Sequence, residues 1–167
     1  SAFAPARYGL TKPRVGLLSI GEEDSKGTTL VKETNALLRD TAGIHFIGNV
    51  EGRDLMTDDV DVVVTDGFTG NVTLKTAEGV LRFIQRKLLG VLTEADVFDQ
   101  VWPVLEPLVM DLDPDSHGGA MLLGVDGVCI ISHGSSSARA IVNAVRVAKE
   151  MVEGDLVGHL RSAISLS

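Results

Sequence analysis

Residues 61–75 contain the pattern that narrows the possible folds of this chain furthest. Residues 62–64 are three valines, and such a short β-branched run is typical of a buried strand. Glycines and capping-type side chains interrupt the run at residues 66–71, which predicts a turn. Apolar residues then recur at helical spacing up to position 88. A strand, a glycine turn and a helix in this order predict an open α/β sheet, which binds ligands at the carboxyl ends of its strands.

The remaining segments fit the same architecture. Further apolar runs predict strands at residues 14–20, 44–50 and 125–132, the last with a possible hairpin at Asp126-Gly127. Amphipathic stretches predict helices at residues 30–39, 74–90, 97–109 and 140–152, and residues 1–13 are interpreted as a lead-in. Pro103 and Pro107 are expected to kink or break the third helix. The order predicts a single α/β unit over residues 1–167, with a mostly parallel sheet and flanking helices.

Composition limits the classes of function. The 167 residues carry 15 Lys and Arg against 23 Asp and Glu, a net charge of −8, which argues against nucleic acid as a partner. The single cysteine, Cys129, lies in an apolar run and is expected to be a buried small hydrophobe. One cysteine cannot form an intramolecular disulfide, which fits a reducing, cytoplasmic setting. No apolar run approaches the ~20 residues of a membrane-spanning helix.

Three polar, glycine-containing loops each follow a predicted strand and precede a predicted helix: residues 21–27, 66–71 and 133–137. Free N–H groups at a helix N-terminus suit phosphate or another anion, and Lys26 adds a positive charge at the first loop. Alternatively, the glycines serve tight turns, the serines at 25 and 135–137 are N-caps, and Lys26 is solvated. Because strand ends in one sheet can converge, the three loops together favour a shared anion site.

Other chemistries have weaker support. A hydrolase triad of Ser135, His133 and Asp66 is conceivable, but the chain has no Gly-x-Ser-x-Gly nucleophile elbow. No Walker A or Gly-x-Gly-x-x-Gly motif supports a nucleotide. The remaining histidines lack metal-ligand spacing: His45, His117 and His159. The sequence therefore predicts neither a metal nor a cofactor.

Long stretches of the chain resemble the bacterial phosphate acyltransferase family of phospholipid synthesis. The matching residues are 14–23, 26–27, 46–54, 61–72, 75–79, 118–120, 122–124 and 133–136. Thr28 replaces the asparagine of the family's usual Lys-Gly-Asn, and Met121 replaces the proline of its Gly-Gly-Ala-Pro. Family members are about twice as long as this chain, so the resemblance implies the C-terminal half of a longer enzyme. It also implies a fold like that of isopropylmalate dehydrogenase and phosphotransacetylase.

The resemblance implies an activity and residue roles. Such enzymes transfer a fatty acyl group from acyl-[acyl carrier protein] to inorganic phosphate, which gives acyl phosphate. Lys26 and Asn71 match positions assigned to catalysis: Lys26 would stabilise negative charge, and Asn71 would hold the thioester carbonyl or the phosphate. The implied substrate-binding residues are Gly27, Asp66, Gly67, Gly70, Lys75, His133, Gly134 and Ser135.

The resemblance also implies partners. Family members are homodimers with a peripheral membrane contact, and residues 80–112 form the helical segment expected to make the dimer or membrane contact. Two alternatives stay open. In the first, the chain is a non-catalytic module for carrier-protein binding or dimerisation. In the second, it is part of a short-chain phosphotransacylase that uses coenzyme A.

Overall fold

The computed structural model describes residues 2–113, 116, 119–132, 134 and 136–165. Its helices are α1 (Phe3–Tyr8), α2 (Thr29–Asp40), α3 (Gly67–Glu94), α4 (Phe98–Asp111), α5 (Ala138–Glu153) and α6 (Leu156–Ser165). Its strands are β1 (Arg14–Leu18), β2 (His45–Val50), β3 (Val62–Val64), β4 (Ala120–Met121) and β5 (Ile130–Ile131), and Asp54–Met56 form a 3₁₀ turn. Contacts divide the chain into two compact units. The first unit is Ser1–Gly70 with Asp155–Ser167, and the second is Asn71–Gly154.

A three-stranded parallel sheet of order β2-β1-β3 forms the centre of the first unit, which confirms the predicted α/β class. The central strand β1 is the most buried, with Val15 only 2% exposed, and α2 packs against β1 and β2. Gly16 permits the close approach of β2. A Cβ atom at Gly16 would lie 2.6 Å from Cγ1 of Val50, so a larger residue would force the two strands apart.

An ion pair fastens the amino ends of β1 and β3. The guanidinium of Arg14 donates from Nε and Nη2 to the two carboxylate oxygens of Asp61, each at 2.9 Å. The backbone N–H of Arg14 donates to the same carboxylate at 2.6 Å. These hydrogen bonds hold the pKa of Asp61 at about 2, below its ordinary value of 3.8. A lowered pKa means that the fold favours the charged carboxylate.

The pair at Asp61 predicts how stability depends on pH. Its contribution is complete above pH 3.8 and is lost as the pH falls through about 2. We therefore expect Asp61→Asn to lower the free energy of unfolding at neutral pH, and the difference from the parent to shrink over that window. Urea unfolding followed by circular dichroism at several pH values measures both. Glu33→Gln removes an exposed carboxylate that has no ion pair among the described residues, and it is the matched control. An Asp61→Asn deficit that is the same at pH 7 and pH 2 would contradict the assignment.

The predicted fourth strand differs from the structure. Residues 125–132 contribute only β5, which pairs antiparallel with β4 in a separate two-stranded sheet. The backbone N–H of Leu122 donates to the carbonyl of Cys129 at 2.8 Å, so the two strands close a hairpin. Because this short hairpin provides no second layer over the cysteine, Cys129 is exposed, and the expectation of a buried thiol was wrong.

The helices also differ from the sequence predictions. Helix α4 is not broken at Pro103 and Pro107, which both lie inside it. Helix α1 lies in the segment interpreted as a lead-in, and it contacts α6, which the sequence pattern did not reveal. Helix α3 begins at Gly67, so most of the expected turn at 66–71 is already helical.

No helix in the part of the chain that the structure describes combines the length and the apolarity needed to span a lipid bilayer.

Candidate anion-binding site

The carboxyl ends of three parallel strands meet at one edge of the sheet. The chain leaves β1 for β2 on one side and then crosses to β3 on the other side, so the topological switch lies between β1 and β3. Open α/β sheets bind ligands in the crevice at such a switch. Two segments border this crevice: residues 19–28 after β1, and Thr65 with Asp66 after β3.

The loop after β1 is built around a turn that ends at Gly27. The backbone N–H of Lys26 donates to the carbonyl of Glu23 at 2.9 Å. Gly27 has a φ of +91°, and a Cβ atom there would lie 2.8 Å from Cγ1 of Val31, so both backbone and space require glycine. The hydroxyl of Thr28 then accepts from the N–H of Val31 at 3.3 Å and caps α2. Lys26 and Gly27 therefore lie immediately before a helix N-terminus.

Lys26 differs from the arginines around it. It is exposed, and its aliphatic stem lies over Gly21, where a Cβ atom would be 2.9 Å from Cγ of the lysine. Arg39 pairs with Asp24 at 2.6 Å, and Arg53 pairs with Glu22 at 3.2 Å. The ammonium of Lys26 makes no ion pair or hydrogen bond with any residue that the structure describes. Its charge is thus available to a ligand.

Asp66 has a defined structural task at the end of β3. One carboxylate oxygen accepts from the N–H groups of Phe68 and Thr69, each at 2.9 Å, and the other accepts from the Thr69 hydroxyl at 2.5 Å. The hydrogen bonds from the side chain and backbone of Thr69 lower the pKa of the Asp66 carboxyl. The carboxylate therefore occupies the N-terminus of α3, where it would repel an anion.

The predicted glycines of this segment lie inside α3. Gly67 is its first residue and Gly70 its fourth. A Cβ atom at Gly70 would lie 2.8 Å from Cγ2 of Thr65, so the first turn of the helix packs closely on the residue that follows β3. This close packing explains the glycine at position 70 without a role in ligand binding.

Asn71 and Lys75 occupy one face of α3, four residues apart. Both are exposed. They belong to the second unit, whereas Lys26, Gly27 and Asp66 belong to the first. The amide of Asn71 has no hydrogen bond to any described residue.

The third predicted loop is only partly described. His133 and Ser135 lie outside the described residues, and Gly134 is exposed. Ser137 caps α5, because its hydroxyl accepts from the N–H of Ala140 at 3.2 Å. This serine is one of those that the sequence offered as an N-cap.

Sequence reasoning missed three polar residues that lie close to the first loop. Ser19 follows β1, and its Oγ atom is buried without a hydrogen-bond partner in the described part of the chain. Asn35 of α2 and Asn49 of β2 are buried and joined by a hydrogen bond of 2.9 Å. Of these residues, only Asn49 had a feature that the sequence could have revealed, since it is an asparagine inside an apolar strand run.

Within the same described residues, no three His, Cys, Asp or Glu side chains are grouped so as to hold a metal ion.

The parallel sheet and the lysine–glycine loop at its carboxyl edge define an α/β protein with a candidate anion site. The chain belongs to the family described as "fatty acid synthesis protein", whose sequence model matches residues 1–158.

Curated relatives named phosphate acyltransferase match almost the whole chain. The protein from Elusimicrobium minutum is 47% identical over 169 residues, which cover 99% of this chain and 49% of the relative. The protein from Nostoc sp. is 46% identical over 97% of this chain, and the one from Bacillus subtilis is 42% identical over 98%. The chain spans about half the length of the curated relatives it matches.

Proposed function

We propose that this chain forms the phosphate-binding part of an enzyme that transfers a fatty acyl group from acyl-[acyl carrier protein] to inorganic phosphate. The observation that carries the proposal is the ammonium of Lys26, which has no ion pair among the described residues and lies at the N-terminus of α2, beside the switch point of the sheet. The names of the curated relatives support the same acceptor.

The helix N-termini that border the crevice differ in their suitability for phosphate. The Asp66 carboxylate already neutralises the N-terminus of α3. Helix α2 has only the neutral hydroxyl of Thr28 as a cap and the cation of Lys26 beside it. Because a dianion seeks both free N–H groups and positive charge, the N-terminus of α2 is the favoured position.

The proposed reaction needs positioning and charge stabilisation rather than a nucleophilic side chain. A phosphate oxygen bonds to the thioester carbon, the carbon–sulfur bond breaks, and the thiolate leaves and takes up a proton. Lys26 lowers the energy of the negative charge that passes through the carbonyl oxygen, and Gly27 lets the phosphate approach the backbone. Asn71 holds the carbonyl or the phosphate by hydrogen bonds. The other proposed substrate-binding residues are Gly67, Gly70, Lys75, His133, Gly134 and Ser135. Asp66, which the sequence also indicated, would shape the site by capping α3 rather than by contacting the anion.

Transfer from acyl-[acyl carrier protein] is tested in the full-length enzyme. This term denotes a protein of the same length as the curated relatives that contains the present chain. Acyl phosphate is trapped with hydroxylamine and counted against the carrier thiol released, with acyl-coenzyme A as the competing donor. We expect one acyl phosphate per thiol and little turnover by the 167-residue chain alone. No acyl phosphate from the full-length enzyme would favour the non-catalytic module, and a strong preference for short acyl-coenzyme A would favour the phosphotransacylase.

We also propose residues 80–112 as the contact segment of a homodimer that associates peripherally with the membrane. Support comes from apolar side chains that the described residues leave exposed: Val80, Phe83, Ile84, Val91, Val104 and Leu108. Val104 is 77% exposed and Leu108 is 55% exposed, and they lie four residues apart on one face of α4.

A double variant of α4 tests this segment. We expect Val104→Glu with Leu108→Glu to weaken a dimer of the full-length enzyme at least about tenfold, because each buried charge lacks a partner. Sedimentation velocity over a range of concentrations measures the dissociation constant. Glu106→Lys changes the charge at an exposed position on the opposite face of the same helix and is the control. An unchanged dimer with lost flotation on lipid vesicles would assign the face to the membrane, and no change in either would contradict the proposal.

A further inference from the structure

We propose that Asn49 and Asn35 are positioning residues that hold the loop of Lys26 in its phosphate-binding conformation. The inference rests on the proposed function, since it concerns the same site. It assigns a role to two buried amides that lie outside the residues singled out from the sequence.

A single carbonyl oxygen joins Asn49 to the turn that carries Lys26. The carbonyl of Glu23 accepts the backbone N–H of Lys26 at 2.9 Å, and it also accepts the side-chain amide of Asn49 at 2.9 Å. Asn49 is only 6% exposed and lies in β2, a strand of the central sheet. The turn is therefore joined to the central sheet of the first unit through one hydrogen-bonded atom.

Asn35 fixes the orientation of that amide. Its Nδ2 donates to Oδ1 of Asn49 at 2.9 Å, which leaves the nitrogen of Asn49 directed at the loop. Asn35 is 3% exposed and belongs to α2, the helix whose N-terminus the loop precedes. The two asparagines thus connect the loop to both strand β2 and helix α2.

Burial gives these hydrogen bonds their effect. A buried amide that loses its partner pays the cost of desolvation, so the loop cannot move away from Asn49 without leaving polar groups unsatisfied. The neighbouring ion pair of Asp24 with Arg39 is exposed on both sides, and such pairs hold a loop weakly. The amide contacts therefore dominate the position of the turn.

The test measures inorganic phosphate binding to the full-length enzyme by isothermal titration calorimetry. We expect Asn49→Ala to weaken phosphate binding about tenfold while KM for the acyl donor stays unchanged. Asn35→Ala should act in the same direction with a smaller effect, because the direct contact with Glu23 remains. It is also the variant to use if Asn49→Ala does not fold.

A double-mutant cycle with Lys26 separates positioning from a structural role. If the asparagines act through Lys26, adding Asn49→Ala or Asn35→Ala to Lys26→Ala should weaken phosphate binding no further. Additive losses, unchanged phosphate affinity in the single variants, or an equal rise in donor KM would overturn the inference. Coupled loss of phosphate affinity in an enzyme that forms no acyl phosphate would support the inference while refuting the proposed function.

Discussion

Lys26→Ala is expected to slow acyl phosphate formation by the full-length enzyme about 10²–10³-fold, the usual cost of removing one group that stabilises charge in a transition state. The ammonium is exposed and makes no contact of its own with described residues, so its removal should leave the melting temperature nearly unchanged. Lys26→Arg keeps the charge with a different shape and should recover only part of the rate. Hydroxylamine trapping of acyl phosphate measures all three enzymes.

Lys32 provides the matched control for Lys26. It is also an exposed lysine without an ion pair among described residues, but it lies inside α2, four residues after the Thr28 cap. We expect Lys32→Ala to retain the parental rate. A parental rate for Lys26→Ala would make Lys26 a solvated turn residue, and an equal loss in both variants would indicate only a general effect of charge.

The parallel sheet was predictable because the local sequence of each strand indicates a strand. Residues 14–18, 45–50 and 62–64 are short apolar runs between polar segments, and their separation by a helix or a long connector requires crossovers. The 125–132 run has the same composition, yet it forms only β5 in a hairpin. Whether such a run joins the parallel sheet or forms a hairpin depends on its pairing partners and on the layers that cover it. The composition of the run contains no information on either. The exposed Cys129 has the same cause.

The first turn of α3 shows why glycine was misleading. A glycine inside a helix costs about 1 kcal/mol relative to alanine, which favours a turn. Asp66 offsets part of this cost, because its carboxylate caps the helix by binding two N–H groups of the first turn. The close packing of Gly70 on Thr65 supplies a reason for a small residue. The Asp66 cap and the packing of Gly70 together outweigh the low helix propensity of glycine.

The prolines of α4 suggested an interruption in a segment that is helical throughout. Pro103 and Pro107 remove the N–H groups that would bond the carbonyls of Asp99 and Pro103 in α4. Asp99 and both prolines are exposed, so water can satisfy these carbonyls and the helix continues. Exposure, which a local sequence pattern does not fix, decides how much a proline costs.

The candidate site was predictable in part. The Lys26–Gly27 loop follows from a strand, a glycine turn and a helix in sequence, and the positive φ of Gly27 agrees with it. The contact between Asn35 and Asn49 spans 14 residues and two elements, so it depends on how α2 packs on β2. No periodicity predicts such a contact. Ser19 was missed for the same reason, because the loop at Gly27 packs against it: a Cβ atom at Gly27 would lie 3.0 Å from Oγ of Ser19.

Asn71→Ala is expected to lower the rate of acyl phosphate formation by the full-length enzyme about 10²-fold, because a side-chain amide that stabilises a developing oxyanion contributes on that scale. The same change should slightly raise the stability of the fold. Asn71 is an exposed residue of α3, and alanine favours a helix by about 0.5 kcal/mol over asparagine. A loss of rate together with a gain in melting temperature therefore cannot come from loss of the helix. Acyl phosphate assays and thermal unfolding on the same samples measure both.

Thr76→Ala is the matched control for Asn71→Ala, since it makes a similar change in helix propensity at an exposed position of α3. We expect this variant to keep the parental rate. Asn71→Asp separates the two proposed roles of the amide. If the amide faces phosphate, the added negative charge should weaken phosphate binding more than alanine does. If it faces the thioester carbonyl, Asn71→Asp should lower kcat with little change in KM for phosphate. Parental kinetics in both Asn71 variants would remove this residue from the site and leave the proposal to Lys26 and its loop.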